Sequence, residues 1–175
     1  MGFPHMNTKQ GVWELVLGTL LEAGVRFLVV GGWAREFHGL DHHADDLDLF
    51  IEFSAENWGH LQAAMQQLGI DLASFEELSQ RSNPLRIRDL NPDVDLVTGI
   101  PGVSFDDGWS SAVETTFGRG LRVHVLSEAH AVLSSRGYLI RTGCRNESDR
   151  SETDIQLGDH GPQSDGDLPS TPGPS

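Results

Sequence analysis

Cysteine is almost absent: Cys144 stands alone in 175 residues, so no disulfide can form within the chain and a Cys-rich zinc site is excluded. That usage fits a reducing cytoplasm. Cations are scarce too, with 12 Lys and Arg against 26 Asp and Glu and a formal net charge of −14. A broad surface for DNA or RNA needs a stripe of basic side chains, so nucleic acid is disfavoured as the main partner. No apolar run approaches the roughly 20 residues a membrane helix requires, and Met1 to Gln10 lacks the regions of a signal peptide. We therefore expect a cytoplasmic chain with no membrane partner. Its length suits one domain with a real core and is too short for two.

What is present is periodic up to about residue 142. Val12, Leu15, Val16, Thr19, Leu20 and Ala23 follow the spacing of an amphipathic helix that ends near Gly24. Arg26 to Val30 reads as a buried strand, followed by the pair Gly31-Gly32 and a short helix over Trp33 to Gly39. Leu40 to Asp45 is a polar loop. Asp46 to Phe53 largely alternates acidic and apolar residues, the period-two mark of a strand with one wet face. Ser54 is a candidate cap for a helix carrying Trp58, Leu61, Met65 and Leu68 and ended by Gly69, although Asn57 stands where a capping box needs Glu or Gln.

Further strands are expected over Pro84 to Asp89 and Asp93 to Thr98, with a turn at Asn91-Pro92 between them. A short helix over Phe105 to Val113, a strand over Gly120 to Leu126 and a weak helix over Ser127 to Ser134 complete the pattern. Asn146 to Ser175 is rich in Ser, Asp, Glu, Gly and Pro, and such a segment buries too little surface to offset the entropy of ordering it. The expected organisation is one domain over 8–142 and a disordered acidic tail over 143–175.

The chemistry concentrates in Asp46-Leu47-Asp48. Residues two apart on a strand face the same way, so Asp46 and Asp48 point together while Leu47 and Leu49 point into the core. Two such carboxylates repel unless a cation lies between them, and magnesium, a hard ion that takes oxygen ligands and keeps sites for water and phosphates, suits them. The competing reading is an exposed strand with solvated acids. Val94-Asp95-Leu96 repeats the alternation, and a neighbouring strand can bring Asp95 to the same rim as a third ligand and proton acceptor. Asp93, beside Pro92, belongs more naturally to the turn.

The order Gly31-Gly32-Trp33-Ala34, His38-Gly39, Asp46-Leu47-Asp48-Leu49, then Asp95-Leu96-Val97-Thr98 and Ile100-Pro101-Gly102-Val103-Ser104-Phe105 resembles the DNA polymerase beta-like nucleotidyltransferase superfamily. Within it, the small bacterial AbiEii-type and minimal nucleotidyltransferases are most similar, over about Phe27 to Leu126. The resemblance implies an α+β fold, a small mixed sheet with helices packed against it, together with Mg2+ and ATP or another NTP. It implies transfer of a nucleoside monophosphate to a hydroxyl of a protein or small-molecule acceptor, with pyrophosphate released. Gly31, Gly32 and Trp33 would then hold the nucleotide, and Asp46, Asp48 and Asp95 would be both the metal ligands and the catalytic acids. A toxin or antitoxin partner follows from the same likeness. The chain departs from these relatives at His42 and Ala44, where many carry Arg and Thr, and at Ser135, where a Lys is expected.

Other readings compete at several positions. The Gly31-Gly32-Trp33 start also resembles antibiotic adenylyltransferases, and the departures are compatible with a catalytically silent binding module of the same fold. His38, His42, His43 and Asp45 invite zinc, but His38 fits packing or a hydrogen bond better and the adjacent pair fits a solvated loop. Trp13, Trp58 and Trp109 read as core or rim aromatics, whereas Trp33 stands close enough to the glycines to touch a nucleotide. Arg86 and Arg88 alternate on a probable strand and read as surface arginines that can also steer a triphosphate.

Overall fold

The computed structural model of the chain describes residues 9–40, 44–80, 86–87, 94–142 and 154–155. His42, His43, Arg88, Asp93, the Asn91-Pro92 turn and all of the expected tail except Asp154–Ile155 lie outside these residues. Helix α1 (Lys9–Glu22) leads into β1 (Phe27–Val30), α2 (Gly31–Phe37) and β2 (Leu47–Ile51). Then come α3 (Ala55–Gln67), α4 (Phe75–Ser79), β3 (Arg86–Ile87) and β4 (Val94–Val97). The order closes with α5 (Phe105–Ser110), β5 (Val113–Phe117), β6 (Leu121–Val125), α6 (Glu128–Thr142) and β7 (Asp154–Ile155).

The strands form a mixed sheet whose five longer members lie in the order β5-β6-β1-β2-β4, continued beyond β4 by the two-residue strands β3 and β7. The short α2 connection lets β2 return antiparallel to β1, with Phe27 opposite Ile51 and Val30 opposite Asp48. The longer passage through α3 gives β4 a crossover, and it lies parallel to β2. Parallel pairing sets Leu47 beside Val94, Asp48 beside Asp95 and Leu49 beside Leu96. Asp154–Ile155, within the expected tail, pairs parallel to β3.

Alternation along β2 sorts its side chains. Leu47, Leu49 and Ile51 are fully buried and share one face, joined in the core by Leu17 and Leu20 of α1 and Trp58, Leu61 and Met65 of α3. Asp48 and Phe50 share the other face, where Phe50 meets Phe105 of α5 edge-on at 5.3 Å. Gly108 lets α5 approach closely there: an added Cβ would stand 2.9 Å from Leu28 Cδ1 and 3.2 Å from Leu126 Cδ1.

Helix α3 begins as its sequence suggests, with Ser54 Oγ accepting from Asn57 N–H at 3.3 Å. Instead of reaching back to complete a capping box, the buried Asn57 side chain accepts from Arg26 N–H at 2.7 Å and donates to the carbonyls of Arg26 and Glu52 at 3.0 and 2.9 Å. It thereby joins the helix to the chain just outside β1 and β2.

Some boundaries differ from the expectations. Both glycines lie inside the first turn of α2, which thus starts two residues before Trp33. β2 stops at Ile51, before Glu52 and Phe53, and opens at Leu47, leaving Asp46 in the preceding bend. Helix α5 ends at Ser110, and Val113, assigned above to it, opens β5 because the chain turns there into a hairpin with β6. Helix α6 runs on to Thr142 instead of stopping at Ser134. No helix among the described residues is long and apolar enough to cross a membrane.

Candidate metal centre

Asp48 and Asp95 occupy neighbouring, in-register positions on parallel strands, so their side chains leave the sheet side by side. Asp46 joins them from the bend just before β2. One carboxylate oxygen from each of Asp46, Asp48 and Asp95 lies within 4.8 Å of the others, and all three residues are half-buried. This is the one cluster of three or more acidic, His or Cys side chains with such spacing among the described residues. Three anionic oxygens so close repel one another, and a divalent cation with oxygen preference relieves that repulsion.

Gly31 closes one side of the cluster. Its φ of +64° lies in the left-handed region, and a Cβ placed on it would stand 2.8 Å from Asp48 Cγ and overlap the carboxylate oxygen Oδ2. A glycine is therefore required here twice over, by backbone conformation and by the close approach of the aspartate. Gly32 follows in the same turn, where the first N–H groups of a helix have no intrahelical acceptor.

The segment leading to Asp46 is held by α2. Glu36 Oε2 accepts from Ala44 N–H at 2.9 Å, fixing the backbone two residues before Asp46. His38 Nε2 lies 2.7 Å from the Leu126 carbonyl oxygen, so this imidazole is occupied in joining α2 to the end of β6. His38 and Asp45 enter no metal-compatible cluster among the described residues. Arg35 donates to Ser135 Oγ at 2.9 Å, tying α2 to α6.

Trp33 points into an aromatic group: its ring stacks on Phe37 at 5.9 Å and tilts against Phe117 at 5.2 Å, with Trp13 on the far side of Phe117 at 6.3 Å. Trp13, Trp33 and Phe117 border a cleft of about 310 Å³ that Gln10 and Thr116 also line. A second cleft, about 360 Å³, lies beyond the other end of β2 between Glu52, Phe53 and Phe105. Neither is lined by the three aspartates. Trp58 is a core residue whose Nε1 donates to the Ala73 carbonyl, and Trp109 is a rim residue stacked on His124 at 4.4 Å beneath the Arg26 guanidinium.

Sequence reasoning named all three converging acids and the adjoining glycines. It missed Glu36 and Arg35, whose signal was their placement one helical turn beyond the glycine pair. Comparisons of the chain with protein-family models, with curated proteins and with solved structures find no match.

Proposed function

We propose that the chain is a magnesium-dependent nucleotidyltransferase that moves a nucleoside monophosphate from ATP or another NTP to a hydroxyl of a protein or small-molecule acceptor. The observation that supports this is the convergence of Asp46, Asp48 and Asp95 within 4.8 Å beside a glycine that tolerates no side chain. The donor set fits the metal: three carboxylates and no sulfur or imidazole suit a hard cation that completes its shell with water and phosphate oxygens. Bound there, magnesium would supply positive charge to phosphate oxygens during an in-line displacement.

The protein's own part is positioning and proton transfer. Asp46 and Asp48 would hold the ions, Gly31 and Gly32 would let phosphate oxygens approach the backbone, and Trp33 would border the nucleotide. Asp95 would accept the proton of the acceptor hydroxyl as its oxygen attacks the α-phosphorus and pyrophosphate leaves. A cytoplasmic setting, consistent with the single cysteine, and a toxin–antitoxin role belong to the same proposal.

Titration of the purified chain with ATP and Mg2+, beside Asp48→Asn, tests it. Metal-dependent nucleotide binding that disappears in the variant is expected. Equal, weak binding by both proteins would overturn the enzyme reading in favour of a silent binding module.

A further inference from the structure

Strand β5 forms one edge of the sheet, and among the described residues no strand pairs with its outer side. It runs against β6 in an unbroken antiparallel register, from Val113 opposite Val125 to Phe117 opposite Leu121. Alternate backbone N–H and C=O groups therefore face outward along a strand of five residues. Folded chains blunt such an edge with Lys, Pro, a bulge or a very short strand, and β5 has none of these. Its sequence, Val-Glu-Thr-Thr-Phe, is instead rich in good strand formers. The one charge, Glu114, pairs with Arg122 of β6 at 3.6 Å and lies 3.9 Å from His124, so it is partly compensated within its own hairpin. Val113, an apolar side chain on the same strand face as the buried Phe117, is 39% exposed.

We propose that this edge pairs with itself: two copies of the chain join β5 to β5, antiparallel about a two-fold axis at Thr115, and so build one continuous sheet. Thr115 then meets Thr115 of the second copy, Glu114 meets Thr116, and Val113 meets Phe117. Each is a favourable cross-strand pair, a hydroxyl on a hydroxyl, an acid on a neutral side chain and a β-branched residue on an aromatic ring. The flanks fit as well, since Gly118 comes opposite Ala112 and Arg119 opposite Ser111. Moving the axis to Glu114 sets two carboxylates against each other, and moving it to Thr116 shortens the ladder to three residues a side. The strand is thus self-complementary in sign and shape in one register, which is what singles out a second copy as the occupant. Pairing also covers the exposed Val113 and brings it beside Phe117 of the other copy, at the border of the cleft that Trp13 and Trp33 share. The association is independent of the nucleotide chemistry proposed above.

Sedimentation velocity of the full-length chain, from micromolar to submillimolar concentration, tests the pairing. The wild type is expected to pass from monomer to dimer as concentration rises. Thr115→Lys and Thr115→Glu, each setting like charges face to face at the axis, are expected to weaken the dimer by at least about tenfold. An equimolar mixture of the two variants is expected to form a heterodimer at concentrations where neither dimerises alone. Val113→Lys, at the exposed start of the strand, sets a charge against Phe117 of the other copy and is expected to weaken the dimer by about tenfold as well. Circular dichroism melts check that each variant is folded, and Val113→Lys carries the comparison if the Thr115 variants are not. A wild type that stays monomeric throughout would overturn the proposal, and hydrogen exchange then tells which alternative holds: protected outward amides on β5 assign the edge to another segment of this chain, fast exchange leaves it bare. A dimer as tight in folded Thr115→Lys and Val113→Lys as in the wild type would place the contact elsewhere on the surface and overturn it too. A mixture of folded Thr115→Lys and Thr115→Glu that remains monomeric would overturn the axis at Thr115.

Discussion

Asp48 and Asp95, 47 positions apart in sequence, stand side by side in register on the parallel strands β2 and β4. A crossover through α3 creates this neighbourhood, and the bend before β2 adds Asp46. If a divalent ion is what reconciles these charges, Mg2+ should raise the melting temperature of the wild-type chain, because a ligand that binds only the folded state stabilises it by mass action. Thermal melts with and without Mg2+ should show that gain in the wild type and lose it in Asp95→Asn. An equal shift in both proteins would mean that the ion acts elsewhere.

Gly31 and Gly39 separate two costs of adding a methyl group. Both have positive φ, but a Cβ at Gly39 meets nothing within 4 Å whereas one at Gly31 runs into Asp48. Gly39→Ala should cost about 1 kcal/mol from backbone conformation alone, and Gly31→Ala roughly 2–4 kcal/mol. Chemical denaturation measures both, and equal losses would contradict the close approach of Gly31 and Asp48.

Asn57 makes three hydrogen bonds to backbone groups of Arg26 and Glu52 from a buried position. Replacement by Leu leaves those groups without their partner and should destabilise the fold by roughly 2–3 kcal/mol, against about 1 kcal/mol for loss of the Ser54 cap in Ser54→Ala. Urea unfolding of the two variants gives the comparison, and a smaller loss for Asn57→Leu would contradict this role.

Glu77 closes a reciprocal cap on α4, accepting from Ser74 N–H at 2.9 Å and from its hydroxyl at 3.0 Å. These bonds, the backbone one foremost, favour the carboxylate and hold its pKa below the ordinary 4.5. A lowered folded-state pKa gives a contribution that is complete above the unfolded value and lost as pH falls through the folded one. Ser74→Ala, which removes the hydroxyl and keeps the backbone N–H, should therefore raise the Glu77 titration, followed by NMR, part of the way to its ordinary position. An unchanged titration would sever the link.

The sequence made some of this architecture legible because local pattern and tertiary role coincide. Alternation in Asp46-Leu47-Asp48 and Val94-Asp95-Leu96 announces both the strands and the wet face, and Ser54 announces the start of α3. β5 escaped notice because it is an edge strand: Glu114, Thr115 and Thr116 are polar, Glu114 and Thr116 are exposed, and pairing with β6 supplies what periodicity lacks. α4 escaped because it is only one turn long and is held by the Ser74–Glu77 cap rather than by an apolar stripe. At the site, residue types alone single out the acids, but Arg35 and Glu36 acquire their relevance from the direction of α2 and from partners 100 and 8 positions away.

The most direct test of the central claim, that the three aspartates form one divalent-cation site serving a nucleotide, is an electron paramagnetic resonance titration of Mn2+ with and without ATP. It should be run on the wild type and on Asp46→Asn, Asp48→Asn and Asp95→Asn. The account requires saturable Mn2+ binding in the wild type that ATP tightens, and a loss of about tenfold or more in each variant. Binding that is absent from the wild type, or indifferent to all three substitutions, would contradict it.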